Sequence, residues 1–119
     1  MQYERLPTFS ETQAKALIAE GSAEELILLP LSVGMYYDNW KLAQEICVIL
    51  SKHKDDRVSS NAVLGLAYIA MNHRILEKSI VLPVVMSALE NHTNHLPRVR
   101  DAAEDINNFL GWSINLPKV

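Results

Sequence analysis

His92 and His95 stand three residues apart, a spacing at which two imidazoles can share a metal ion. A structural zinc site needs four Cys, His or carboxylate ligands. The polar run from Asn91 to His95 supplies no thiol or carboxylate, so two solvated loop histidines are the plain reading. Serines and histidines occur elsewhere, but no nucleophile sits on a sharp turn with a base implied beside it. The four glycines are scattered and make no phosphate-binding loop. Asp101, Glu104 and Asp105 share the outward face of one helical stretch. Carboxylates there could form an acid–base pair only with a pocket around them, and the bland alternative is a solvated helix face at the end of a stack. The expectation is a protein with no catalytic residue, no cofactor and no metal.

Recognition fits the residue pattern better. On a helical wheel at about 100° per residue, the stretch from Asp56 to Asn72 is apolar around roughly two-thirds of its circumference. What remains is a narrow stripe of Asn61, Gly65, Tyr68 and Asn72. A helix apolar over so wide an arc must be covered on more than one side, which makes it central and leaves that stripe for a partner. Tyrosine suits such a role, offering a rigid ring and a hydroxyl. The competing reading is that Gly65 merely admits a neighbouring helix and the asparagines cap or face water. A second candidate is the aromatic cluster Tyr36, Tyr37, Asp38 and Trp40. It reads either as a binding hot spot or as a hydrophobic staple between two helices. Trp40 falls at the edge of the core on the wheel, whereas Tyr37 and Asp38 are freer to reach out. The candidate partner-binding residues are therefore Tyr37, Asp38, Trp40, Asn61, Tyr68 and Asn72, with Asp105 on the acidic face.

The elements that must position these residues are all helical. Ser10 with Gln13, and Ser22 with Glu25, match capping boxes that open a first helix ending near Gly21 and a second helix. Pro30 should kink or break the second, and Gly34 should end it or loosen its last turn. Asp38 or Asn39 can cap a third helix from Trp40 to about Lys52, with Leu42, Ala43, Ile46, Ile49 and Leu50 inward and Lys41, Gln44, Glu45 and Lys52 opposite. Asp56 caps the central helix. A fifth follows over about 78–90, bent at Pro83, and a sixth begins near Pro97 and stops at Gly111. A tail carrying Trp112, Ile114 and Leu116 should fold back. No stretch alternates as a strand would, so the fold class is all-α, about six helices in a right-handed stack.

At 119 residues the chain is expected to form a single domain, and its net charge of −3 lacks the basic stripe of a nucleic-acid binder. Residues 1–56 carry nine acids against five Lys or Arg, while residues 57–119 carry five against six. The acidic N-terminal half hints at a basic partner. Cys47, the single cysteine, lies among Ile46, Val48, Ile49 and Leu50 and reads as a buried thiol in a reducing compartment. The start has no signal-peptide pattern, and the apolar runs are too short to span a bilayer. A cytoplasmic protein with no membrane contact is expected.

One internal repeat organises the chain. The stretch Asp56-Arg57-Val58 to Ala62 precedes Pro97-Arg98-Val99 to Ala103 by 41 residues, with Arg before Val and Ala four after Val in both. A two-helix unit recurring near that period is the signature of stacked helical hairpins. The pattern resembles HEAT repeats, with capping helices over about 10–34, one repeat over 39–72, another over 78–110 and a tail over 111–119. The whole chain is also similar to small bacterial HEAT-like immunity proteins, including those of contact-dependent growth inhibition. The likeness is carried by Tyr36-Tyr37-Asp38-Asn39-Trp40, by the segment Asn61 to Ala67, and by Arg98 to Ile106. It implies a cytoplasmic antidote that binds a cognate toxin, a basic nuclease domain, as a monomer or in a 1:1 complex and blocks its active site. A general protein–protein adaptor without a toxin partner is the alternative.

Overall fold

The structure, a computed structural model, describes residues 5–91 and 94–118. Seven helical segments account for its regular structure, and no strand occurs among the described residues: α1 (Glu11–Glu20), α2 (Ala23–Leu26), α3 (Leu29–Tyr36), α4 (Trp40–Leu50), α5 (Asp56–His73), α6 (Lys78–Asn91) and α7 (Leu96–Leu110). Both capping boxes form. Ser10 and Ser22 accept from the backbone amides of Gln13 and Glu25, whose side chains reach back to the serine amides. The expected break near Pro30 falls at Ile27–Leu28 and separates α2 from α3. A proline there has no N–H to return to the Leu26 carbonyl, which disfavours one continuous helix across this point. Gly34, expected to end this helix or loosen its last turn, lies in the last turn of α3.

Asn39 caps α4 by accepting from the Leu42 amide. Asp55, rather than Asp56, caps α5, taking the Arg57 amide at 2.9 Å. Arg74 (φ 57°) and Gly111 (φ 69°) close α5 and α7 in the left-handed conformation that turns the chain out of a helix. Pro83 sits inside α6.

α5 packs against α3, α4, α6 and α7, and eleven of its residues are buried. The contacts set the directions of its neighbours. Asn61 meets Ile27 at one level and Asn72 meets Gly34 and Met35 at another, so α3 and α5 run parallel. Asp56 meets Asn94, Asn61 meets Arg98 and Arg74 meets Phe109, so α7 is parallel to α5 on the other flank. α4 and α6 return antiparallel between them: Gln44, early in α4, bonds to Glu77 beyond the end of α5, and Lys78 of α6 lies over the Trp112 ring beyond the end of α7. The result is two helical hairpins, α4–α5 and α6–α7, stacked side by side with α1–α3 covering one end. The repeated motif occupies equivalent places, with Val58, Val99, Ala62 and Ala103 all fully buried.

The tail folds back as expected. Asn107 clamps the backbone of Ile114 with two hydrogen bonds, Nδ2 to O at 3.0 Å and N to Oδ1 at 2.9 Å, and Arg100 Nε donates to the Pro117 carbonyl. Two positions in α4 differ from expectation. Gln44 is buried, exchanging two hydrogen bonds with the side chain and amide of Glu77, because the 74–77 connection swings back across the start of α4. Ile49, assigned to the inward face, is 46% exposed. Cys47 is buried, and burial pushes its thiol far above the ordinary value.

Candidate functional site

α5 is central, but its open side is not the stripe the wheel suggests. Asn61 is only 3% exposed. Its Nδ2 donates to the Ile27 carbonyl at 2.9 Å, and its Oδ1 accepts from Arg98 at 2.6 Å. Gly65 is covered too: a Cβ there would lie 2.5 Å from the Pro30 carbonyl oxygen and 2.8 Å from Cys47 Sγ, and one on Gly34 would lie 2.5 Å from the Gly65 oxygen. Asn72 is exposed, yet its amide caps the last turn of α3 through the Gly34 and Met35 carbonyls, both at 3.2 Å. The expectation of a wet Asn61–Gly65 edge is therefore corrected in favour of the competing reading, in which Gly65 admits a neighbouring helix and Asn72 caps. The α3 backbone presses on that side because two glycines let it, and asparagine amides supply the hydrogen bonds that buried carbonyls need.

The side of α5 left open is turned by less than a helical step toward Arg57, Leu64, Tyr68 and Met71. Leu64 and Tyr68 are half-buried and Met71 is 37% exposed. Along the facing edge of α7 run Arg98, Asp101, Asp105 and Phe109, at helical spacing. Arg98 and Phe109 are tied to α5 at Asn61 and Arg74, the latter with its guanidinium 4.8 Å from the ring centroid. Between these anchors the parallel register sets Asp101 level with Leu64 and Asp105 level with Tyr68. Two of the sequence-selected residues, Tyr68 and Asp105, thus come to one face. Burial, with the charges of Asp101 and Glu104 adding to it, raises the Asp105 pKa above the ordinary carboxylate value. An apolar strip bordered by crowded carboxylates is chemically suited to a surface carrying both apolar and cationic groups.

The aromatic cluster lies elsewhere, at the end of α5 on the α3 flank. Tyr37 does not reach out: its hydroxyl donates to the Phe9 carbonyl at 2.9 Å, and its own carbonyl accepts from His73 Nε2 at 3.0 Å. Burial, with the charge of Glu11 second, raises its pKa. Trp40 is half-buried against the core. Asp38 is exposed beside the α4 cap. These three residues are not brought to the α5–α7 face.

His92 lies outside the described residues. Among the described residues no group of three or more His, Cys, Asp or Glu is placed to hold a metal ion, and no helix is long and apolar enough to cross a membrane. Leu64, Met71 and Arg98 were missed on the wheel. The pair of glycines at 34 and 65 was the available signal, since it marks which side of α5 a helix must approach.

The fold and its open face define a small all-α protein of stacked helical hairpins. In comparisons with known proteins the chain matches no family model, no curated protein and no solved structure.

Proposed function

We propose that this chain is a non-catalytic binding protein, an immunity protein that neutralises a cognate toxin domain by covering its active site with the α5–α7 face. The observation that carries this reading is the strip of Leu64, Tyr68 and Met71 level with Asp101 and Asp105. Apolar side chains left half-open beside crowded acids suit a basic partner such as a nuclease, whose substrate cleft must attract phosphate. The likeness of the motifs at 36–40, 61–67 and 98–106 to HEAT-like immunity proteins supports the same assignment, as does the cytoplasmic setting expected from the lone thiol. A standard interface takes about 800 Å² from each partner, roughly a ninth of this protein's 7048 Å² surface. The strip alone is smaller than that, so the flanking edges of α3 and α7 join the interface of a 1:1 complex.

Co-expression with the protein encoded beside it tests this reading. Rescue of growth supports an immunity protein. Binding without rescue favours an adaptor, and neither outcome sinks both. Replacing Tyr68 and Asp105 together by Ala should weaken a bound partner by about tenfold or more; undiminished affinity in a folded variant would remove the assignment of this face.

A further inference from the structure

The two ends of the stack are closed differently. Helices α1–α3 cover one, whereas the outer side of the α6–α7 hairpin is covered by the tail, residues 111–118, which contains no helix. A terminal hairpin in such a stack needs a cover of this kind. Burial alternates along the tail, as in an extended segment: Trp112, Ile114 and Leu116 pack inward, while Ser113 and Asn115 are exposed.

What holds the tail is mostly its main chain. Asn107 takes both backbone groups of Ile114, and Arg100 Nε donates to the Pro117 carbonyl at 2.9 Å. Ile114, 8% exposed, is the tail's one buried side chain among the described residues. The turn that sends the tail back is free on its outer side. Gly111 takes φ 69°, and a Cβ there would meet nothing within 4 Å. Docking also leaves a gap: an open cleft of about 200 Å³ remains between the tail and α6, lined by Leu82, Met86, Trp112 and Ile114. Met86 is 49% exposed beside it.

We infer that the tail is an exchangeable arm, so that two copies of this chain pair end to end and each lays residues 114–117 on the α6–α7 hairpin of the other. The seat reads main-chain groups and one aliphatic side chain, which a second copy presents identically. Straightening at Gly111 sends the arm onward instead of back. The connector 111–113 allows at most about 14 Å between Leu110 and Ile114, so the two hairpins must meet closely. Each Trp112 is thereby carried toward the cleft of the other copy, and that burial, absent from the single chain, favours the pair. The short tether holds a chain's own tail at an effective concentration of about millimolar, so the parent chain exchanges only near that concentration.

Two full-length variants test this by complementation. Asn107→Ala keeps an intact tail on a damaged seat, and Ile114→Asp keeps the seat but spoils its own tail. Neither closes on itself, so mixed at about 1 mM they should form a 1:1 pair. Light scattering should show the mixture rising toward twice the mass of either variant alone. The Asn107 side-chain amide of labelled Ile114→Asp should shift saturably, and at least tenfold less when the added chain carries both substitutions. Amide protection at Val63 and Leu66 shows that each variant is folded, and Ile114→Ala replaces the aspartate variant if that one is not. Tail exchange is overturned by monomer mass in the mixture, by equal shifts with the doubly substituted chain, or by equal association of either variant alone.

Discussion

Arg98 donates to Asn61 across the α5–α7 contact at 2.6 Å, while the amide of the same asparagine reaches the Ile27 carbonyl on the other flank. One buried side chain thus joins three successive layers of the stack. The first repeat shows a related link one layer earlier, where Arg57 pairs with its own cap Asp55 and with Glu24 of α2, both at 2.8 Å. The arginine before each buried valine therefore reaches back to the preceding unit, but toward a carboxylate in one case and an amide in the other. The exposed Arg57 pair contributes little; the buried Asn61 link is the consequential one.

Asn61→Ala should lower stability by roughly 1 to 3 kcal/mol, because it strands the Ile27 carbonyl, whereas the exposed Arg98 guanidinium can turn to water. Chemical denaturation of the variant checks this. Arg57→Ala, by contrast, should change the midpoint little, and an equal loss in both would contradict the difference drawn between them.

Gly65→Ala and Gly111→Ala separate steric from conformational demand. At position 65 a Cβ meets the Pro30 carbonyl, a backbone atom that cannot turn aside, so a loss toward about 3 kcal/mol is expected. At position 111 nothing lies within 4 Å, and only the left-handed φ of 69° opposes a side chain. About 1 kcal/mol is expected there. Thermal unfolding of both variants gives the order.

Asn107→Ala should release the tail without loosening the stack. The side chain makes two hydrogen bonds to Ile114 and lies at the edge of the last hairpin. Amide exchange at Ile114 should accelerate strongly while the amides of Val63 and Leu66 keep their protection.

Asp105 imposes a pH dependence with a definite sign. Its pKa is raised in the folded protein by burial and by its acidic neighbours, so the folded state holds the proton more firmly than the unfolded chain does. Its contribution to stability is present below the ordinary carboxylate value and is lost as pH rises through the raised value. Asp105→Asn should remove that decline and leave the protein slightly more stable at neutral pH, by less than about 0.5 kcal/mol. Urea titrations across the acidic range, compared with the parent chain, measure it. A basic partner bound at this face should drive a proton off the same group, which calorimetry in buffers of different ionisation enthalpy detects.

Much of the architecture was legible because it is local. Ser10 and Ser22 announce two helix starts through a spacing of three residues, Gly111 announces a stop, and the Arg-Val-x-x-x-Ala motif places Val58 and Val99 in matching core positions. The burial of Gln44 and the work done by Tyr37 were not legible. Each depends on a partner distant in the chain: Glu77 for Gln44, Phe9 and His73 for Tyr37.

From its order of residues alone this protein is bound to be all-α, with residues 56–72 too apolar on too many sides to lie anywhere but the middle. Which edge of that helix meets solvent was decided only by the packed structure. Side-chain polarity on a wheel cannot tell an asparagine facing water from one satisfying a buried carbonyl. The choice falls to where a neighbouring backbone can come closest, and Gly34 against Gly65 is that place. Once α3 settles there, Asn61 is sealed in, and Leu64, Tyr68 and Met71 are turned out beside Asp105.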